Sequence, residues 1–109
     1  AKDPVADKAG WYKHNSGGVS HPVGKMPANP WGLYDMVGGV WEWCHDWWMN
    51  DLGSKAVTDP TGGKDEFYRI VRGGSWFGWS YNLRGGHRFQ KPPAYRCHGI
   101  GIRPVKTAP

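Results

Sequence analysis

Residues 29–48 read NPWGLYDMVGGVWEWCHDWW, and the rest of the chain is organised around them. They hold five of the eight tryptophans, a Gly38-Gly39 break and one carboxylate, Glu42, between Trp41 and Trp43. The glycine pair lets the backbone take positive φ, which predicts a turn followed by a strand over residues 40–47. Along that strand Trp41, Trp43 and His45 point one way, and Val40, Glu42, Cys44 and Asp46 the other. A second stretch, residues 68–79 (YRIVRGGSWFGW), ends a strand pattern over residues 67–72 in another glycine pair. It is built to pack against the first.

The composition sets the kind of core. Aromatics make up 15% of the 109 residues, so the interior must be built from Trp and Tyr slabs whose polar hydrogens need partners. Seventeen glycines and nine prolines argue against long helices and for a loop-rich chain. Such aromatic content also argues against disorder. The net charge of +5 comes from fourteen scattered Lys and Arg against nine Asp and Glu. No basic run forms, which predicts an ordinary basic surface with no nucleic-acid partner. No segment approaches the roughly 18 apolar residues of a membrane span, and no secretion-signal pattern opens the chain. Cys44 and Cys97 are either a disulfide or two buried thiols, a choice that geometry makes.

Taken in order, residues 1–10 are polar and without period, and are expected to be disordered or frayed. The domain proper is expected over residues 11–105, with residues 106–109 as a tail. Residues 11–30 carry turn signals (Asn15-Ser16-Gly17-Gly18, His21-Pro22, Asn29-Pro30) and read as coil pinned by Trp11 and Tyr12. Residues 31–37 are a helical turn or a bend. Residues 49–66 are a polar excursion with a Thr58-Asp59-Pro60-Thr61-Gly62-Gly63 turn. Regular signals are few in residues 75–98, where Pro92-Pro93 forbids a helix. Residues 99–105 (GIGIRPV) predict a last strand with Ile100 and Ile102 on one face.

The motifs GLYDMVGGVWEW (32–43), RIVRGGSW (69–76), Arg84 with Arg88 and Pro92, and Gly101-Ile102-Arg103 follow one another in order. In that order they resemble the formylglycine-generating enzyme (sulfatase-modifying factor) family. The resemblance implies an α+β, C-type-lectin-like fold, loop-rich with a short antiparallel sheet. It covers the C-terminal part of such a domain, so the missing N-terminal part of the same domain becomes a possible partner. Two departures stand out. Gly39 replaces the family's usual Asn and keeps the turn without its side chain. The copper enzymes of the family carry two cysteines shortly after Gly-Gly-Ser, whereas residues 76–88 hold none. Copper(I) selects soft thiolates, so the copper chemistry is not expected here.

Family members also bind structural calcium at the first motif. Carried over, the ligands are Asp35, the Gly38 and Val40 carbonyls, and Glu42. Hard oxygens converging at a glycine bend suit calcium. Alternatively Glu42 pairs with Arg69, Arg72 or Arg103. Ser75 reads as a loop cap, since no histidine and carboxylate spacing supports a nucleophile.

Residues 77–98 place Phe77, Trp79, Tyr81, His87, Arg88, Phe89, Tyr95, Arg96 and His98 in loops after the core strand, the composition of a binding surface. The family's substrate groove lies in this region. Trp79 and Phe89 are alternatively core residues. Three functions follow as expectations. One is a non-copper module binding a peptide, protein or small molecule on a calcium-stabilised scaffold. Another is a family oxidoreductase (sulfatase cysteine to formylglycine, or an iron-dependent sulfoxide synthase) whose reactive groups lie outside this chain. The third is a retroelement-diversified receptor, against which Trp79, Gln90 and Lys91 count, because adenine changes in asparagine codons do not reach them.

Overall fold

The structure, a computed structural model, describes residues 3–49, 62–63 and 67–106. The turn expected at residues 58–63 lies largely outside them, as does most of the tail. Helix α1 (Pro4–Ala9) is followed by β1 (Trp41–Trp47), β2 (Arg69–Arg72), a 3-10 turn (Ser80–Leu83), β3 (Arg88–Lys91) and β4 (Ile100–Gly101). The strands form one sheet in the order β3-β2-β1-β4. No helix among the described residues is long and apolar enough to cross a membrane.

Strands β1 and β2 pair antiparallel with Glu42 opposite Arg72 and Trp43 opposite Val71, and the register slips before Trp47 meets Arg69. β2 and β3 are antiparallel in unbroken register from Arg69–Lys91 to Arg72–Arg88. The β1–β4 pair is parallel, so the sheet is mixed where an antiparallel one was expected. A parallel pair takes slanted bonds and suits a strand arriving from a long connection, which β4 is. It is also shorter than residues 99–105 predict. Beyond Gly101 the chain leaves the sheet, Pro104 has no N–H to donate, and Ile102 is 76% exposed rather than facing inward with Ile100.

The start of the chain is not frayed over α1. Asp3 caps it, Oδ1 accepting from the amides of Val5 and Ala6 at 3.1 Å each, with Pro4 at the first helical position. The Tyr12 hydroxyl donates to Asp7 Oδ1 at 2.7 Å and accepts from the Asp3 amide at 3.1 Å. That bond to Asp7, with burial, pushes the Tyr12 phenol above its usual pKa. Tyr12 is fully buried with Ala6 and Leu83.

The two glycine pairs lock together. The Gly38 amide donates to the Gly73 carbonyl (2.6 Å), Gly39 to Trp11 (2.9 Å) and Trp76 to Gly39 (2.7 Å). Gly38 stands at φ +74°, and a Cβ there would lie 2.5 Å from the Trp11 carbonyl oxygen. Only glycine permits that approach. Above this frame sit the buried residues of the sheet, Trp41, Ile70 and Val71. Not every tryptophan joins them, for Trp31 is 88% exposed. Both cysteines are free thiols.

Candidate functional site

The two-residue period of β1 sends Trp41 and its neighbour Glu42 into different cavities. Trp41 walls a cavity of about 340 Å³ together with Ser75, Phe77, Tyr81, His87 and Phe89. Glu42 lines one of about 470 Å³ with Trp11, His21, Asp35 and Arg103.

The aromatic cavity is assembled by three segments. β1 supplies Trp41, the loop after the Gly73-Gly74 turn supplies Ser75 and Phe77, and the 3-10 turn, its connection to β3 and β3 itself supply Tyr81, His87, and Arg88 with Phe89. The His87 ring sits 5.7 Å from Trp41 and 6.1 Å, edge-on, from Tyr81. Trp41 meets Phe89 at 6.1 Å. Burial pushes the His87 imidazole below its usual pKa, and the nearby Arg84 guanidinium adds to the effect. Phe77 is pinned against Gly99, whose missing side chain makes room for the ring, since a Cβ there would come within 2.3 Å of it. At the floor Ser75 is 1% exposed, yet its Oγ has no hydrogen-bond partner. It caps no loop, contrary to expectation. A buried hydroxyl without a partner carries a desolvation cost that a ligand acceptor or donor can recover.

Of the nine residues expected at the binding surface, Phe77, Tyr81, His87, Arg88 and Phe89 line this cavity. Trp79 does not; it lies against Lys13 (3.9 Å) and His14 (5.8 Å). His98 clusters with Trp76 and Phe77 at 5.3 Å each, Lys91 sits over Tyr95 at 4.5 Å, and Arg96 is exposed outside the cavity. Neither Trp79 nor Phe89 is a core residue, both being more than two-fifths exposed. Trp41, Ser75 and Asn82 line the cavity without having been expected there. The signal for Trp41 was present in the strand alternation. That for Ser75 was not, because an unpartnered hydroxyl exists only in three dimensions. No cysteine lines the cavity.

In the second cavity Arg103 is the arginine that Glu42 selects. Its Nε donates to Oε1 at 2.8 Å and its Nη2 to Oε2 at 3.1 Å, while Nη2 also reaches the carbonyls of Tyr34 (2.8 Å) and Asp35 (2.9 Å). Asp35 takes a positive φ of 55°, and its Oδ2 accepts the Gly24 amide at 2.7 Å. Asp35, Gly38, Val40 and Glu42 all line this one cavity. Two carboxylates and two main-chain carbonyls are hard-oxygen donors, so the set fits calcium in kind. Each carboxylate oxygen has two lone pairs, so Glu42 can hold Arg103 and still face a cation. Among the described residues no three His, Cys, Asp or Glu side chains gather as metal ligands, so any cation here relies on the carbonyls as well.

Residues 4–108 match the Sulfatase-modifying factor enzyme 1-like domain family. The chain is 40% identical over 88 residues to the serine/threonine-protein kinase pkn1 of Chlamydia caviae, covering 78% of this chain and 14% of that protein. It is 36% identical over 88 residues to the formylglycine-generating enzyme of Mus musculus, covering 75% of this chain and 23% of that one. The solved structure of Treponema denticola variable protein 1 superposes with a TM-score of 0.86 at 35% identity, over 93% of this chain and 37% of that one. The chain thus spans less than a quarter of these curated relatives.

Proposed function

Because the chain belongs to the sulfatase-modifying factor enzyme 1-like domain family, we propose that it is a non-copper member serving as a ligand-binding module. One observation carries this reading. The cavity walled by Trp41, Phe77, Tyr81 and Phe89 ends on a buried, unpartnered Ser75 hydroxyl and contains no thiol. Apolar walls with a few convergent polar groups, here Ser75 beside Asn82, His87 and Arg88, are what a binding pocket needs. Without a cysteine pair there is no soft ligand set for copper(I). The scaffold below is lectin-like and calcium-stabilised, the ion being held by Asp35, Glu42 and the carbonyls of Gly38 and Val40. Its role there is structural, bracing the loop that leads into β1.

Likeness to Treponema denticola variable protein 1 favours a second reading, a receptor whose loops are diversified around the same cavity. The test of the first reading is a peptide and fragment screen by NMR. Binders are expected to move the Trp41 indole N–H and the Ser75 amide together. Hits that gather around Trp11 and Arg103 instead, or copper-dependent oxygen uptake in the presence of a thiol peptide, would sink it.

A further inference from the structure

The aromatic cavity opens beside a second, larger one of about 590 Å³, lined by Trp48, Arg84, Gly86, His87 and Arg88. The two share His87 and Arg88. Among the described residues neither is lined by a carboxylate. Arg84 is exposed and, among the described residues, its guanidinium donates from Nε to the Tyr81 carbonyl at 3.2 Å. Arg88 stacks on the Trp48 ring at 4.4 Å and donates to the Met49 carbonyl, which orients the guanidinium. An apolar compartment therefore adjoins a cationic one, and β3, which contributes Arg88 and Phe89, has one strand neighbour among the described residues. An edge strand offers its outer main-chain groups to an extended chain.

Resting on the binding-module reading, we propose that the ligand is an acidic peptide segment. An apolar or aromatic side chain fills the Trp41–Phe77–Tyr81–Phe89 cavity, and a neighbouring carboxylate lies against Arg84 in the adjoining one. The planar guanidinium matches a carboxylate, and such charge-assisted bonds are the strong ones. The Ser75 hydroxyl takes no part in the charge selection. His87, whose charged form burial and the Arg84 guanidinium disfavour, stands between the compartments. The chain's net charge of +5 adds a long-range attraction for an acidic partner.

The test compares two end-blocked peptides, Gly-Phe-Glu-Gly and Gly-Phe-Gln-Gly, with phenylacetate as the small-molecule version of the same chemistry. Titration calorimetry on the whole protein reads all three at low and at high salt. The Glu peptide is expected to bind about tenfold tighter than the Gln peptide at low salt. The gap should close as salt screens the pair. In Arg84→Gln the gap should vanish. Equal binding of both peptides to the unaltered protein at low salt overturns the acidic preference and leaves the module reading standing. Phenylacetate binding as tightly as the Glu peptide overturns the peptide assignment. Binding of none of the three overturns the proposal, and the NMR screen then decides separately whether the cavity binds anything.

Discussion

His87 is where residue-scale physics meets the site. Its ring lies between Trp41 and Tyr81, with Arg84 nearby, and both burial and that guanidinium disfavour the imidazolium. NMR titration should give a His87 midpoint below that of a free histidine, and Arg84→Gln should move it part of the way back. The stability consequence has a definite sign. A histidine whose folded pKa is depressed contributes stability above its unfolded pKa, and loses it as pH falls through the folded value. The protein should therefore lose this contribution on acidification below the ordinary histidine range. A midpoint at or above the free value would show that Arg84 and the ring walls do not act on His87. Ser75 makes the complementary point, since among the described residues its burial without a partner is the one polar cost at this site that folding leaves uncompensated.

At the scale of elements, β1 is the divider. Its alternation assigns Trp41 to the aromatic cavity and Glu42 to the cavity of Arg103, so the two candidate sites are back to back across one strand. The slip in register before Trp47 ends the strict alternation, and His45, expected to share the face of Trp41, is exposed. Helix α1 shows how a short element survives at a chain start. Six residues cannot hold a helix by propensity, so the Asp3 cap and the Tyr12 hydroxyl do the holding. Asp3→Ala should cost about 1 kcal/mol. Proteolysis near residues 4–9 should speed up alongside a lower Tm. An unchanged Tm would mean that the Tyr12 hydroxyl bonds and the burial of Ala6 keep the helix in place without the cap.

For the whole molecule, Arg103 holds Glu42, and the proposed calcium would add to that hold. Calcium at a hundred times its Kd would contribute about 2.7 kcal/mol. Chelation should then lower the Tm by several degrees, and Glu42→Gln should remove the response. A melt indifferent to chelation and calcium would leave Glu42 to Arg103 alone, whose two bonds at 2.8 and 3.1 Å already tie β1 to the segment after β4. Either way the same carboxylate joins the chain's middle to its end, 61 residues away.

What the residues alone determined is local or carried by ordered motifs. The Gly38 turn, the strands around Trp43 and Ile70, and the aromatic and arginine content of residues 77–98 follow from spacing and residue type, and the family from the resemblance of its ordered motifs. The helix over residues 4–9 is not among these readings, because the polar, aperiodic start reads as frayed. Tertiary structure decided the rest. The parallel approach of β4, the choice of Arg103 among three arginines, and the separation of Trp79 from Phe77 depend on contacts between residues far apart in the chain. So does the orphaned Ser75 hydroxyl. Period and propensity report which way a side chain leaves its own strand. They carry no information about which distant loop arrives to meet it, because that is settled by the packing of all the segments at once.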